Sequence, residues 1–208
     1  MAVPMLIIAK WRQISVKKTI IVAVLLTITG TVGAYLLYFL ENGILGGISF
    51  FGAIFLVPVV FALFTLPFKL SYGQIMDLCA PAECIMLAIM KIQCLIHGCC
   101  AGRVLFVTTQ GQEIIFPSQI VEFINALIIC YFLMQDARNK ERYNTLFPRY
   151  MVIYGITRFF LNLLRAETEA FLFGLPVGNI WSFITVLIGF AWLLCGKRKL
   201  IGFSNDLQ

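Results

Sequence analysis

"TIIVAVLLTITGTVGAYLLYFL", residues 19–40, contains no charged side chain over its whole length. A helix needs about 20 consecutive apolar residues to cross the hydrocarbon core of a bilayer, so this stretch predicts a transmembrane helix. A cleaved signal peptide has a shorter apolar region, of about 7–15 residues, and we therefore expect the stretch to stay in the chain as its first span. The sequence indicates an integral membrane protein.

Similar apolar runs follow along the rest of the chain, at residues 44–68, 75–96, 118–135, 150–165 and 178–195. Charged residues make up 12% of the chain and the mean hydropathy is +0.93, whereas soluble domains carry about 25% charged residues. Each run is continuously apolar, without the alternation of a lumen-facing strand, which favours helices over a β-barrel. The sequence therefore predicts an all-α, polytopic transmembrane helix bundle of about six spans.

The chain shows no internal repeat or low-complexity tract, so we expect a single integral-membrane domain over residues 1–208. Residues 1–18 mix apolar side chains with Trp, Lys and Arg, which is typical of an interfacial segment. Residues 19–195 form the predicted helix bundle. Residues 135–144 are predicted as a polar cytoplasmic loop and residues 196–208 as a cytoplasmic tail.

The basic residues predict the orientation in the membrane. With six spans, one side of the bilayer receives Lys10, Arg12, Lys17, Lys18, Lys69, Arg138, Lys140, Arg142, Arg149, Lys197, Arg198 and Lys199. The loops of the opposite side contain only Arg103 and Arg165. The positive-inside rule then places both termini in the cytoplasm. The net charge of +6 is interpreted as this topology signal and as a contact with anionic headgroups, and no nucleic-acid partner is expected.

Five ionisable residues fall inside the predicted spans, namely Asp77, Glu83, Lys91, Glu122 and Arg158. A charge near the bilayer centre costs about 2.5–3.5 kcal/mol or more unless it faces protein, water or a partner. A structural ion pair or an interfacial position accounts for Asp77 and Glu83. Lys91 stands about 12 Å along the helix from Glu83, so its partner must come from another helix.

A polar stripe is predicted on the fifth span, where Tyr154, Arg158, Asn162 and Arg165 recur at helical spacing on one face. In one interpretation, Glu122 neutralises Arg158, and Glu167 or Glu169 neutralises Arg165. In the other, the cations of the outer half outnumber the carboxylates, and the remaining positive charge binds an anion such as a lipid phosphate. The guanidinium group presents a fork of donors that matches phosphate oxygens.

The segment "KIQCLIHGCCAGR", residues 91–103, holds the single histidine of the chain, His97, and the cysteines Cys94, Cys99 and Cys100. These donors suffice in number for a zinc or redox site. However, the C-x4-C-C spacing lacks the C-x2-C pairs of zinc modules, and cysteines in membrane helices commonly serve as small packing residues. We therefore expect no metal and no cofactor.

Glycines are expected to shape two segments. Gly98 and Gly102 bracket the paired cysteines and would let the chain turn back, exposing backbone N–H groups toward an anion. The glycines of "GILGGISFFGA", residues 43–53, permit either a broken helix or close helix packing, and packing is the favoured interpretation.

Four segments, in order, resemble those of the prolipoprotein diacylglyceryl transferases. "LGGISFFGA" (45–53) is similar to the family's Gly-Gly-x-Ser-x-His-Gly-Gly, and residues 77–103 to the stretch with the signature Gly-Arg-Ile-Gly-(Asn/Cys)-Phe. "FPSQIVE" (116–122) is similar to Pro-Ser-Gln-Leu-Tyr-Glu. "YGITRFFLNLLR" (154–165) is similar to Tyr-Gly-x-x-Arg-Phe-x-x-Glu-x-x-Arg, and a weaker match follows at 174–182. The chain departs from these motifs at three places, with Phe51 for the His, Met90-Lys91 for Gly-Arg, and Asn162 for the Glu.

The resemblance implies an enzyme of the bacterial inner membrane that moves diacylglycerol from phosphatidylglycerol, or another anionic phospholipid, to the lipobox cysteine of a prolipoprotein signal peptide. It implies that Arg158 and Lys91 hold the phosphate, with His97 proposed as a relocated base. Substrate-binding residues are expected to be Arg103, Arg165, Tyr154, Glu122, Gln119, Ser118, Gly98, Gly102, Gly46, Gly47 and Ser49.

The missing histidine slows the implied reaction without forbidding it. A free thiol with a pKa of about 8.5 is roughly 3% ionised at pH 7, and a general base contributes typically 10²- to 10⁴-fold. The alternative hypothesis is a non-catalytic paralogue that keeps the anionic-phospholipid site for lipid or partner binding. A transporter is a third interpretation, and the absence of sequence repeats disfavours it.

Overall fold

The computed structural model describes residues 2–68, 70–138, 145–166, 170–172 and 175–205. These residues form seven α-helices and four short β-strands. In chain order they are α1 Ala2–Trp11, α2 Val16–Asn42, α3 Phe50–Phe68, α4 Tyr72–His97, β1 Val104–Val107, β2 Glu113–Ile115, α5 Ser118–Ala137, α6 Leu146–Leu163, β3 Ala170–Leu172, β4 Leu175–Pro176 and α7 Val177–Asn205. The strands pair as two antiparallel ribbons, β1 with β2 and β3 with β4.

Four helices are long and apolar enough to cross a membrane, namely α2, α4, α5 and the segment Val177–Cys195 of α7. Their outward faces carry large apolar side chains; on α2, for example, Ile20, Val24 and Ile28 are about half exposed. Such surfaces suit contact with lipid, and helices satisfy their own backbone hydrogen bonds there. The prediction of a polytopic helical membrane protein is thus confirmed.

One boundary of the sequence-based prediction is wrong. The predicted span at 44–68 begins only at Phe50, because α2 ends at Gly43, whose left-handed φ of 71° reverses the chain. Helix α7 continues as far as Asn205, and the cytoplasmic tail expected at residues 196–208 stays a prediction. The all-α class agrees with the seven helices, and the two ribbons are short additions to them. Lys69, Lys140, Arg142, Glu167 and Glu169, which entered the charge arguments, lie outside the described residues.

The chain divides into two compact units. The first comprises Met1–Glu83 and Phe132–Phe147. In it α2 and α3 cross where Gly33 faces Gly52: a Cβ atom on either glycine would collide with the carbonyl oxygen of the other. Small residues at a helix crossing allow the backbones to approach closely, which stabilises membrane helix pairs through packing. The favoured packing interpretation of the 43–53 glycines is confirmed for Gly52.

Asp77 of the first unit is completely buried and lies 2.5 Å from the guanidinium of Arg12. Its other oxygen accepts a hydrogen bond from the backbone N–H of Leu146, 2.9 Å away. Leu146 is the first residue of α6, and a helix N-terminus has free N–H donors and a partial positive charge. Asp77 therefore caps α6 while it neutralises Arg12, and the predicted structural ion pair is confirmed for this residue.

The second unit comprises Cys84–Tyr131 and Pro148–Gln208. Here Gly155 of α6 packs against α7, since an added Cβ would lie 2.7 Å from Val186 Cγ2. The side-chain amide of Asn125 on α5 donates to the hydroxyl of Thr157 on α6 at 3.0 Å. These contacts fix α6 between its two neighbours. The expected single domain stays a prediction, and each unit is described by itself.

Candidate functional site

One carboxylate of the second unit joins two cations from different helices. The Nζ atom of Lys91 on α4 lies 2.7 Å from Oε2 of Glu122 on α5, and Nη1 of Arg158 on α6 donates to the same oxygen. The side chains of Lys91, Glu122 and Arg158 are 7%, 3% and 11% exposed. The prediction that Lys91 finds its partner on another helix is confirmed.

The three charges do not cancel, because two cations share one anion. Unused hydrogen-bonding capacity remains as well: among the described residues, Oε1 of Glu122 and Nε of Arg158 are buried without a hydrogen-bond partner. Leaving a buried polar atom without a hydrogen-bond partner destabilises the folded protein by about 1–3 kcal/mol. The cluster of Lys91, Glu122 and Arg158, here called the cation cluster, therefore carries a net positive charge and free donors.

Arg165 does not extend the polar stripe of α6 as predicted. The helix ends at Leu163, and its last turn tightens as the N–H groups of Leu164 and Arg165 donate to carbonyls three residues back. Arg165 then forms an antiparallel bridge with Gly102. It still interacts electrostatically with Glu122 and Lys91, so it adds a third positive charge near the cluster.

Gly102 lies where two backbones meet. A Cβ atom there would collide with the carbonyl oxygen of Phe116, so only glycine fits. On either side, the N–H of Arg103 donates to Leu164 O at 2.9 Å and the N–H of Ala166 donates to Ala101 O at 3.1 Å. The exposed guanidinium of Arg103 donates from Nε to the carbonyl of Arg165 at 3.0 Å. Residues 101–103 thus tie the end of α6 to the start of α5.

Ser118 and Gln119, two predicted substrate-binding residues, bond to the cysteine segment. The Ser118 hydroxyl donates to Cys100 O at 2.5 Å, and the Gln119 amide donates to Cys99 O at 2.7 Å. Gly98 turns the chain, as predicted, with a φ of 67°. However, the N–H groups of Gly98 and Cys99 donate to α4 carbonyls rather than facing outward, so the expectation that they are exposed to an anion is wrong.

The remaining predicted residues of this unit differ in position. His97 is the exposed last residue of α4, about 9 Å along the helix from Lys91. Tyr154 is buried one turn before Arg158 and interacts with it electrostatically.

Gly46, Gly47 and Ser49 belong to the first unit. A Cβ on Gly47 would lie 2.6 Å from the Tyr38 ring, so close packing also explains this glycine, whereas a Cβ on Gly46 would come no nearer than 3.8 Å, to Ile44. Ser49 donates its N–H to Ala34 O at 2.9 Å and its hydroxyl to Glu41 at 3.4 Å. Phe51, at the family's His position, is buried and stacks on Phe55.

Sequence reasoning missed two polar residues of the second unit, Asn125 and Asn179. Asn125 stands three residues after Glu122, one turn along α5, and this spacing could have indicated a second link to α6. Asn162 and Asn179 are both buried, and within the described part of the chain Nδ2 of Asn162 and both amide atoms of Asn179 have no hydrogen-bond partner. Gly178 makes room for Asn162, because an added Cβ would lie 2.6 Å from its Nδ2.

An open apolar groove of about 320 Å³ runs between α6 and α7 of the same unit. Ile156, Phe159 and Phe160 line one side, and Phe183 and Val186 line the other. Phe159 directly follows Arg158 in the chain. The residues that line the groove include no charged side chain.

The fold and the site define a polytopic helical membrane protein with a buried, net-positive cluster beside an apolar groove. A sequence model of the family described as prolipoprotein diacylglyceryl transferase matches residues 2–195. The chain belongs to this family. The resemblance drawn from the four motifs is thereby confirmed.

Curated relatives agree with this assignment. The chain is 31% identical over 173 residues to phosphatidylglycerol–prolipoprotein diacylglyceryl transferase 2 of Clostridium perfringens, covering 75% of this chain and 64% of that protein. It is 25% identical over 126 residues to the transferase of Clostridium tetani, covering 56% and 51%. For the transferase of Geobacter sulfurreducens the identity is 26% over 170 residues, covering 76% and 64%. The chain thus spans about half to just under two thirds of these relatives.

Proposed function

We propose that the protein transfers diacylglyceryl from phosphatidylglycerol to the lipobox cysteine thiol of a prolipoprotein, at the outer leaflet of the bacterial inner membrane. The family and the names of the relatives support the reaction. The single structural observation that carries the proposal is the sharing of Glu122 by Lys91 and Arg158. One carboxylate cannot neutralise two cations, and an arriving phosphodiester supplies the missing negative charge.

The proposed topology has six spans, α2 to α7, with both termini in the cytoplasm. In addition to the four long apolar helices, α3 and α6 overlap the predicted spans at 44–68 and 150–165. The excess of basic residues on the loops of one side supports the orientation. In this arrangement α4 runs outward, so the cation cluster lies toward the outer leaflet and His97 nearer its surface.

In the proposed reaction the cysteine thiolate attacks the glyceryl carbon that carries the phosphate. A carbon–sulfur bond forms as the carbon–oxygen bond breaks, and glycerol phosphate leaves with the electron pair. Negative charge therefore builds on the leaving phosphate, where Arg158 and Lys91 stabilise it, with Arg165 as a third cation. Charges fixed in position before the reaction stabilise such a transition state strongly, because they need not reorganise.

Glu122 has a positioning role in this proposal. Its carboxylate holds the ammonium of Lys91 and the guanidinium of Arg158 on one side of the cluster, and both cations retain further donors. Ser118, Gln119 and Gly102 maintain the backbone that joins α4, α5 and the end of α6. Tyr154, one helical turn before Arg158, interacts electrostatically with its guanidinium group.

The groove between α6 and α7 is proposed to take an acyl chain of the lipid. Its apolar lining and its position alongside the helix that carries Arg158 support this use. Burying each methylene of an acyl chain contributes about 0.8 kcal/mol. The headgroup and the chain would then be held by adjacent parts of the same unit.

His97 is proposed to accept the thiol proton, since it is exposed at the end of α4 toward which the peptide would approach. Gly46, Gly47 and Ser49 are proposed, from the resemblance alone, to contribute to the substrate site. Phe51 occupies the family's histidine position, and its side chain cannot act as a base. A slow reaction at neutral pH is therefore expected, with a rate that rises with the thiolate fraction of the acceptor.

The test is to incubate the purified protein with phosphatidylglycerol vesicles and a lipobox peptide, and to follow the peptide by mass spectrometry. Transfer predicts a mass increase of one diacylglyceryl group on the cysteine, and no increase on a peptide with serine at that position. If the peptide stays unmodified while the protein still binds phosphatidylglycerol, the proposed transferase activity is overturned. That result would support a non-catalytic lipid-binding paralogue.

A further inference from the structure

Three cysteine thiols gather at the outer end of α4, apart from the cation cluster. The sulfur atoms of Cys94, Cys99 and Cys100 all lie within 4.8 Å of one another. All three are free, with Cys99 exposed and the other two half-buried. Ordinary core cysteines of this chain, such as Cys79 and Cys84, are instead fully enclosed. A partly exposed trio of mutually contacting thiols therefore needs its own explanation.

The end of α4 brings the first two thiols together by its backbone geometry. Gly98 adopts a left-handed φ of 67°, its N–H donates to Leu95 O, and the N–H of Cys99 donates to Cys94 O at 3.1 Å. This pattern is a Schellman motif, in which the second residue past the helix contacts a residue of the last turn. Apolar residues usually make that contact, but here both positions are cysteines.

Cys100 joins the pair through an unusual backbone conformation. Its φ of 61° is in the left-handed region, which residues with a side chain seldom adopt. The Ser118 hydroxyl, 2.5 Å from its carbonyl oxygen, holds it there. Non-glycine residues in this region cost about 1–3 kcal/mol and persist where the surroundings fix them, often at functional positions. The conformation turns the third thiol toward the other two.

Two cations of the second unit lie near the thiols. Cys94 interacts electrostatically with Lys91, three residues earlier on α4, and Cys100 interacts with Arg158. Thiolates are the form that binds metal ions, and nearby Lys and Arg side chains stabilise them. A positive charge nearby offsets part of the negative charge that three metal-bound thiolates would carry.

We propose that Cys94, Cys99 and Cys100 bind one thiophilic d10 metal ion, such as zinc(II) or cadmium(II), through three thiolates. With zinc–sulfur bonds of about 2.3 Å, three bound sulfurs would lie roughly 4 Å apart, which the observed cluster reaches with small side-chain rotations. The thiol protons pass to solvent, and a fourth position stays open to water. The linear C-x4-C-C spacing did not predict this site because the Schellman turn, rather than a C-x2-C pair, brings the sulfurs together.

The proposal is tested on the full-length protein, purified in detergent under reducing conditions and then freed of reductant. Equilibrium dialysis against zinc(II), followed by elemental analysis, is expected to give one ion per chain. Loading with cadmium(II) is expected to produce thiolate charge-transfer absorption. Both signals should be lost in Cys94→Ser, Cys99→Ser and Cys100→Ser, and kept in the matched control Cys195→Ser, which removes an exposed thiol outside the cluster.

A second measurement needs only the wild-type protein, so it remains informative if a variant misfolds. Zinc(II) should protect Cys94, Cys99 and Cys100 from alkylation, as read by peptide mass spectrometry, and leave Cys195 reactive. Wild-type protein with all seven cysteines reduced that binds no ion, or equal protection of Cys195, would overturn the proposal. Neither readout depends on transferase activity, so the metal site and the proposed function can fail separately.

Discussion

The Nζ atom of Lys91 lies 2.7 Å from Oε2 of Glu122, so the buried ammonium of α4 finds its partner on α5. The same oxygen accepts the hydrogen bond of Arg158. This shared contact makes the site net positive, because one carboxylate meets two cations.

Arg158→Ala should lower kcat/KM for transfer to a lipobox peptide by about 10²- to 10³-fold, the loss typical when one preorganised donor to a developing negative charge is removed. Arg158→Lys should recover only part of the lost kcat/KM, because an ammonium group lacks the paired N–H donors of a guanidinium group. The measurement is the initial rate in phosphatidylglycerol vesicles. Arg149→Ala, on the same helix but nine residues earlier, should change the rate little; a loss equal to that of Arg158→Ala would contradict the assignment.

Lys91→Ala should weaken transfer while leaving the Arg158–Glu122 pair intact, because it removes one of the two cations that share the carboxylate. Lys91→Arg, which introduces the residue of the family's signature, should retain the rate or raise it. Rates of the two variants, measured side by side with wild type, check this. If Lys91→Ala reacted at the wild-type rate, Lys91 would have no part in binding the phosphate.

Glu122→Gln should destabilise the lipid-free protein by about 3–5 kcal/mol, because breaking a buried ion pair leaves uncompensated charge. Here two buried cations would lose their carboxylate at once. Thermal unfolding in a neutral detergent measures the effect, and added phosphatidylglycerol should restore more stability to this variant than to wild type. The control is Glu113→Gln, an exposed position on β2. Equal stability of the two variants would show that the cluster is not held by Glu122.

Gly52→Ala should destabilise the first unit by about 1–3 kcal/mol, as overpacking does, because the new methyl group would meet the carbonyl of Gly33. Gly46→Ala is the matched control, since its Cβ would meet nothing closer than 3.8 Å. Unfolding temperatures of both variants in detergent compare the two sites. If Gly52→Ala left the unfolding temperature unchanged, α2 and α3 would not pack through these glycines.

Much of the fold could be predicted because a helix that crosses a membrane must be apolar, and hydropathy along the sequence shows this directly. The uninterrupted run at residues 19–40 became α2, and the unfavourable burial of charge indicated that Lys91 and Arg158 have partners. The break at residues 43–49 was only one of two interpretations of the glycines there, and the end of α6 before Arg165 was missed. Both depend on local backbone reversals that an apolar pattern does not encode.

The candidate site was only partly predictable for a related reason. Residue type and helical spacing pointed to Glu122 as a partner of Arg158, but the sequence could not show that Lys91 shares the same oxygen. The assignment of Ser118 and Gln119 to substrate stays a prediction, and their hydrogen bonds to the carbonyls of Cys100 and Cys99 were not foreseen. Contacts between distant segments, such as Gly102 with Phe116, arise from tertiary packing and cannot be inferred from the spacing of residues along the sequence.

The central claim is that Lys91 and Arg158, sharing one carboxylate, bind the phosphodiester of an anionic lipid. The most direct measurement is native mass spectrometry of the protein released from vesicles that contain equal amounts of phosphatidylglycerol and zwitterionic phosphatidylethanolamine. Wild type and Arg149→Ala should retain phosphatidylglycerol preferentially, and Arg158→Ala should lose that preference. Equal retention of the two lipids by wild type, or an unchanged preference in Arg158→Ala, would contradict the account.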